Sequence, residues 1–243
     1  MSHIKNKILI IGHRGAYNEA PENSLEGFKK AIELGADYIE FDVHKTLDGE
    51  LVIIHDENTL RMTGYDARVK DIPLKELKKL KLPNKEQIPT LQELINITKG
   101  KINFLCELKA DGMCKKVLSV LTQNNMISST IFQSFNVREL LNCQKTESNI
   151  NWGPIVPKNE NYLSKWSQRE KMIQEVLDMK ASHIITRFKN VNKKFVDYCH
   201  DSDLSVFVYP INSKLITKRY TEFGVDGLIV NNISQTIDIL KQE

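Results

Sequence analysis

No stretch of this 243-residue chain approaches the roughly 18 consecutive apolar residues of a membrane span, so no stable membrane insertion is expected. Lys5 and Lys7 precede an apolar run of only four residues, 8–11, too short for the core of a signal peptide. The four cysteines, at 106, 114, 143 and 199, contain no CxxC pair, which removes zinc fingers and a disulfide framework from consideration. Cys106 sits in an apolar run and reads as a buried free thiol. A reduced, cytoplasmic setting is the resulting expectation. The net charge is only +3, with lysines and glutamates intermixed and no basic stripe, so nucleic acid is not expected as a partner. No low-complexity tract, linker or repeat divides the chain, and a single domain over 1–243 is expected.

Short apolar runs alternate with amphipathic helical patterns. Strands are predicted at 8–12, 38–45, 51–55, 102–109, 130–134, 153–156, 182–186, 204–209 and 227–230. Helices are predicted near 24–34, 90–99, 113–124, 137–145, 167–179, 192–201, 213–223 and 233–241, four of them opened by cap signals at Asn23, Thr90, Asn136 and Ser167. Gly35 and Gly100 stand where C-terminal glycines belong. This alternation implies parallel strands joined by right-handed crossovers. With 51–55 taken as a side hairpin, eight repeats remain, which favours a closed α/β barrel, the (β/α)8 TIM fold, over an open sheet. His13-Arg14-Gly15 after the first strand is not GxGxxG, so a dinucleotide fold loses its main support. From 57 to 87 the rhythm breaks into charged and turn residues, with one short helical pattern at 74–80. That excursion leaves from His55 and should arch over the same barrel end as any site there.

Polar residues interrupt three of the early strands. His13 and Arg14 close the first, Glu40 and Asp42 lie in the second, and His55 and Asp56 close the third. Unpaired charge is costly to bury, so such placements point to a site. Side chains alternate along a strand, which puts Glu40 and Asp42 on one face, inward near the C-terminal mouth where barrel active sites lie. Glu107 and Lys109 repeat the spacing. Three carboxylates without thiolate suit a hard divalent cation, Mg²⁺ or Ca²⁺, better than zinc. Two imidazoles beside them can serve as acid and base, and Arg14 and Lys109 can neutralise a phosphoryl group. The parts fit metal-assisted cleavage of a phosphate ester. His44 follows Asp42 by two and can join the site or face a polar rim, whereas His3, His183 and His200 are read as structural or exposed. Trp152, Trp166 and Tyr162 are read as core aromatics before pocket lining.

The ordered set His13-Arg14-Gly15, Pro21-Glu22-Asn23-Ser24, Gly35 through Val43, Thr46-Leu47-Asp48-Gly49, His55-Asp56 and Arg61-Met62-Thr63-Gly64 closely resembles the glycerophosphodiester phosphodiesterase family. Glu107-Leu108-Lys109, Gln133-Ser134-Phe135 and Gly224-Val225-Asp226-Gly227 extend the resemblance to nearly the whole chain. It implies a (β/α)8 barrel with a small insertion after the second strand, and divalent-cation-dependent hydrolysis of small-molecule glycerophosphodiesters to glycerol 3-phosphate and an alcohol. By the same resemblance Glu40, Asp42 and Glu107 would hold the metal. His13 and His55 would be the acid/base pair, and Arg14 and Lys109 would contact phosphate.

Two positions depart from the family pattern. Phe207-Val208-Tyr209-Pro210 replaces a usual Trp-Thr-Val-Asn run, and Val230-Asn231 replaces a common Thr-Asp ending. Both are expected at the mouth but away from the metal and histidine set, with Phe207 in the substrate pocket admitting a different substrate portion. Two other readings use the same fold. One is a phosphodiesterase of the lysophospholipase D and sphingomyelinase D kind on lipid substrates, which would need an apolar channel. The other is a barrel that binds a phosphate metabolite without turning it over, which would predict a missing histidine or carboxylate. The oligomeric state is not written in the sequence.

Overall fold

Alternate residues of each strand are apolar on both faces, which is the pattern of strands buried between a core and a layer of helices. A computed structural model describes residues 7–158 and 162–242; His3 lies outside them. The strands are β1 (Leu9–Gly12), β2 (Tyr38–Lys45), β3 (Leu51–Ile53), β4 (Asn103–Leu108), β5 (Thr130–Ser134), β6 (Asn151–Val156), β7 (His183–Arg187), β8 (Ser205–Ile211) and β9 (Gly227–Val230). Their order is β1-β9-β8-β7-β6-β5-β4-β2-β3, and β1 also pairs with β2, which closes the ring. β3 runs antiparallel to the end of β2 through Val43, His44 and Lys45, so it is the side hairpin, and eight parallel strands form the barrel.

The helices are α1 (Leu25–Leu34), α2 (Leu60–Thr63), α3 (Leu74–Leu77), α4 (Leu91–Thr98), α5 (Cys114–Gln123), α6 (Val137–Thr146), α7 (Trp166–Asp178), α8 (Lys193–His200), α9 (Lys214–Phe223) and α10 (Ile233–Leu240). Outward strand residues such as Phe41, Phe104, Phe132, Trp152 and Val206 pack against the helix layer. Inward residues Ile11, Leu105, Ile131, Ile155, Ile185, Phe207 and Ile229 fill the barrel as a separate cluster. None of the four cysteines is paired, and all are buried. No helix of the described residues is long and apolar enough to cross a membrane.

The excursion at 57–87 builds α2, a 3-10 turn at Val69–Asp71 and α3 around its own small core of Val69, Leu77, Leu82 and Ile88, which joins Val52 and Ile54. Of the four cap signals, only Thr90 caps its helix through its side chain. Thr90 accepts from the Glu93 N–H while Glu93 accepts from the Thr90 N–H, a complete capping box. α1 is capped by Ser24, one residue after the expected Asn23, because Asn23 turns to positive φ and faces the barrel mouth. Asn136 directs its amide to Asp111 and does not cap α6; Glu139 instead accepts the N–H groups of Gly112, Met113 and Cys114 at the start of α5. α7 begins at Trp166, before Ser167, with Gln168 accepting the Lys165 N–H.

Candidate active site

The inward parity that fills the barrel with Ile11, Leu105 and Ile229 continues upward to His13, Glu107 and Asn231 at the C-terminal mouth. On β2 the parity carries Tyr38, Glu40 and Asp42, and on β4 it carries Leu105 and Glu107, with Lys109 just beyond. The result is a cavity of about 420 Å³ lined on one side by His13, Arg14, Glu40, Asp42, His55, Glu107 and Lys109. Its opposite wall is largely apolar, with Phe135, Ile155, Ile185, Tyr209 and Pro210, together with Arg187, whose guanidinium lies 5.8 Å from the centre of the Tyr209 ring.

Glu40, Asp42 and Glu107 each offer an oxygen, all within 4.8 Å of one another. Oxygens sharing one calcium ion lie at most about 5 Å apart, so the set can hold a single divalent cation. Asp42 is wholly buried, and its Oδ1 lacks a hydrogen-bond partner among the described residues; Lys109 Nζ approaches it to 3.3 Å without hydrogen-bond geometry. A buried carboxylate oxygen in that state fits the role of a cation ligand.

The other atoms of the trio are held in place. Asn23 Nδ2 donates to Asp42 Oδ2 at 2.9 Å, the Arg14 N–H donates to Glu40 Oε2 at 2.8 Å, and Gln133 Nε2 donates to Glu40 Oε1 at 3.2 Å. Lys109 Nζ lies 3.0 Å from Glu107 Oε1. Burial, with Asp42 and Glu107 close by, pushes Glu40 well above the usual carboxylate range, and burial with Asp42 pushes Glu107 up to about 7 despite Lys109. Burial alone would raise Asp42, but Lys109, His55 and Arg14 outweigh it and hold this carboxyl at about 2. Such crowding of negative charge suits a bound cation.

Both mouth histidines are held through Nδ1. His13 Nδ1 lies 2.6 Å from Asn231 Oδ1, and the ring stacks on Tyr17 at 5.7 Å. Burial, reinforced by the Arg14 charge, lowers His13 to about 4. His55 Nδ1 lies 2.7 Å from Asp56 Oδ1. His44 is buried with Nε2 3.2 Å from the His55 carbonyl, so it braces the strand end that carries His55 and does not line the cavity at the mouth.

Sequence reasoning placed Phe207 in the substrate pocket, and the structure corrects this. Phe207 is wholly buried in the barrel interior, one layer below the mouth, where its ring covers Gly227 and meets His183. The cavity-lining residue of that strand is Tyr209, two positions on. Asn231, expected away from the histidines, is the direct partner of His13. Trp152 is core, as read, while Trp166 packs on Tyr198 and Tyr162 is exposed. Roles for Gln133, Asn23 and Asn231 were missed, although inward strand parity marks Gln133 and Asn231 as mouth residues. Asn23 leaves no periodic signal, because it acts from a loop.

The glycerophosphoryl diester phosphodiesterase family matches the chain over residues 13–235. A glycerophosphodiester phosphodiesterase of Caldanaerobacter subterraneus subsp. tengcongensis is 31% identical, over 97% of this chain and 99% of its own. The crystal structure of a glycerophosphodiester phosphodiesterase from Thermotoga maritima superposes with a TM-score of 0.82 at 25% identity, covering 96% of this chain and 99% of that one. An Oleispira antarctica phosphodiesterase, solved in complex with the product sn-glycerol-3-phosphate, shares the fold with a TM-score of 0.84 at 24% identity, covering 96% of each chain.

Proposed function

The chain belongs to the glycerophosphoryl diester phosphodiesterase family and is an enzyme of that class, and on that premise we propose that it hydrolyses glycerophosphodiesters to sn-glycerol 3-phosphate and an alcohol, with Mg²⁺ or Ca²⁺ held by Glu40, Asp42 and Glu107 and with His13 and His55 as base and acid. The observation that carries this reading is the convergence of both imidazoles, both cations and all three carboxylates on one cavity. The product-bound relative adds that glycerol 3-phosphate fits a barrel of this kind.

When bound, the cation would neutralise charge on the phosphoryl oxygens and fix the diester. Arg14 and Lys109 would contribute the remaining positive charge around the phosphoryl group. The Asn231 amide oxygen only accepts, so His13 carries its proton on Nδ1 and leaves the Nε2 lone pair to take the proton of the glycerol 2-hydroxyl. That oxygen attacks phosphorus, and the bond from phosphorus to the alcohol oxygen breaks. The departing oxygen takes a proton from Nε2 of His55, whose Nδ1 faces the Asp56 carboxylate, a partner that stabilises an imidazolium. Water then attacks the cyclic phosphate with the roles reversed: its proton goes to His55, and His13 returns a proton to the glycerol oxygen as the ring opens.

The lipid reading is less well supported, because most apolar residues of the 57–87 segment pack into its own core, with Leu60 and Tyr65 left exposed. The test is release of glycerol 3-phosphate from glycerophosphocholine with Mg²⁺ or Ca²⁺, with and without chelator. Full activity after chelation would remove the cation from the reaction. His13→Ala and His55→Ala should each lose several orders of magnitude in turnover while still folding, and near-normal rates in either would refute the pairing.

A further inference from the structure

The 57–87 insertion reaches the site through Arg61. Arg61, on α2, donates from Nε to Asp56 Oδ2 at 2.5 Å, from Nη1 to Glu22 Oε2 at 2.9 Å and from Nη2 to Glu22 Oε1 at 2.6 Å. Each of those carboxylates is also bonded to a residue of the proposed machinery. Asp56 Oδ1 faces His55 Nδ1 at 2.7 Å, and the two oxygens of Glu22 accept from Arg14 Nη1 at 3.1 and 3.2 Å. Arg14 in turn reaches the cation trio, with its backbone N–H on Glu40 and its Nε 3.7 Å from Asp42 Oδ2. A continuous chain of alternating charge therefore runs from His55 through Asp56, Arg61, Glu22 and Arg14 to Asp42.

We propose that Arg61 is the positioning residue of this enzyme: it fixes His55 through Asp56 and the phosphate-binding Arg14 through Glu22, and so makes the insertion a brace of the catalytic geometry. This rests on the reading of His55 and Arg14 given above. The chemistry of the side chain suits the task. Spanning two carboxylates with three donors in one plane requires a guanidinium, and a lysine ammonium is a point charge that serves only one of them. The platform is also set independently of the barrel core. Thr59 is buried and donates to the Tyr65 carbonyl, Gly64 closes α2 in the left-handed conformation, and the segment packs on its own apolar cluster. The Arg61 side chain itself is 46% exposed, and the buried Glu22 keeps Arg14 as a partner without it, so its removal should leave the fold standing.

The experiment measures kcat and KM on glycerophosphocholine for Arg61→Ala and Arg61→Lys, alone and in an Asp56→Asn/Glu22→Gln background. Each single variant should lose roughly 10- to 100-fold in kcat, the size typical of losing an orienting partner, with a smaller change in KM. Millimolar guanidinium should restore part of the Arg61→Ala loss and methylammonium should not. In the Asp56→Asn/Glu22→Gln background the same Arg61 substitutions should cost less than about twofold, because the residues it acts through are already gone. A wild-type kcat in Arg61→Ala, full activity in Arg61→Lys, or an undiminished loss in that background would overturn the proposal. A wild-type protein that releases no glycerol 3-phosphate, or a His55→Ala variant at full rate, would instead sink the reading beneath it.

Discussion

The Asn231 amide oxygen lies 2.6 Å from His13 Nδ1 and ties the end of the last barrel strand to the end of the first. A neutral partner leaves burial and the Arg14 charge in control, and His13 stays down at about 4, neutral and able to accept a proton through most of the working range. Asn231→Asp would place a carboxylate there, which favours the protonated ring and raises its pKa. The acid limb of kcat/KM against pH should therefore move up by about 1–2 units in Asn231→Asp, with the alkaline limb in place. An unmoved acid limb would show that His13 is not the group titrating there.

Asn23 holds Asp42 from two directions, donating from Nδ2 at 2.9 Å and accepting the Asp42 N–H at 3.4 Å. Its backbone is at φ +53°, a conformation glycine adopts freely. Asn23→Gly thus removes the carboxamide while sparing the backbone. Cation affinity by calorimetry should fall roughly tenfold or more, in line with the loss of other partners that orient metal ligands. Unchanged affinity would mean that the strand alone orients Asp42.

Three buried carboxylates facing one point would make a bound cation a stabiliser of the fold. At a concentration about 100 times its dissociation constant, an ion adds about 2.7 kcal/mol, which for a chain of this size is roughly 5–10 °C in Tm. Glu107→Gln should abolish most of that shift. In chelator the order should reverse. Burial and Asp42 lift Glu107 to about 7, above its ordinary value of 4.5, so the folded chain binds the extra proton and stability drains away as pH rises between those values. Glu107→Gln carries no such penalty and should be the more stable protein at pH 8 without metal. A Tm indifferent to added Mg²⁺ and Ca²⁺ in the wild type would remove the trio as a cation site.

Strand parity made the trio legible, since Glu40 with Asp42 and Glu107 with Lys109 must share a face. Parity does not report depth. Phe207 and Tyr209 also share a face, yet one seals the barrel and the other lines the cavity, because the stagger of neighbouring strands decides which layer a residue enters. The loop residues Glu22 and Asn23 carry no period at all. They were visible only as part of a motif, and their work emerges when α1 and β2 are brought together. For the corrected position, Phe207→Ala should cost about 3–5 kcal/mol of stability, as other buried aromatic truncations do, and leave KM nearly unchanged. Tyr209→Ala should do the opposite, raising KM with little change in Tm. A KM effect confined to Phe207 would restore it to the substrate pocket.

At the opposite end of the barrel, His183 opens β7 facing inward, with its ring 4.8 Å from that of Phe207 and Nδ1 2.8 Å from the Ser182 hydroxyl. Burial lowers it to about 4, with Asp226 opposing weakly. Between pH 4 and the ordinary 6.5 the unfolded chain takes up a proton that the folded chain refuses. Unfolding then becomes easier as pH falls through that window, by at most about 3 kcal/mol from this residue. His13 adds a slope of the same sign and Glu107 one of opposite sign, so the net curve of the wild type does not isolate any of them. The difference between two proteins does. Urea unfolding of His183→Gln and wild type at several pH values should show the variant gaining on the wild type steadily from pH 6.5 down to pH 4, and holding a constant offset above 7. A pH-independent offset throughout would mean that the buried imidazole is protonated in the fold as readily as in the open chain.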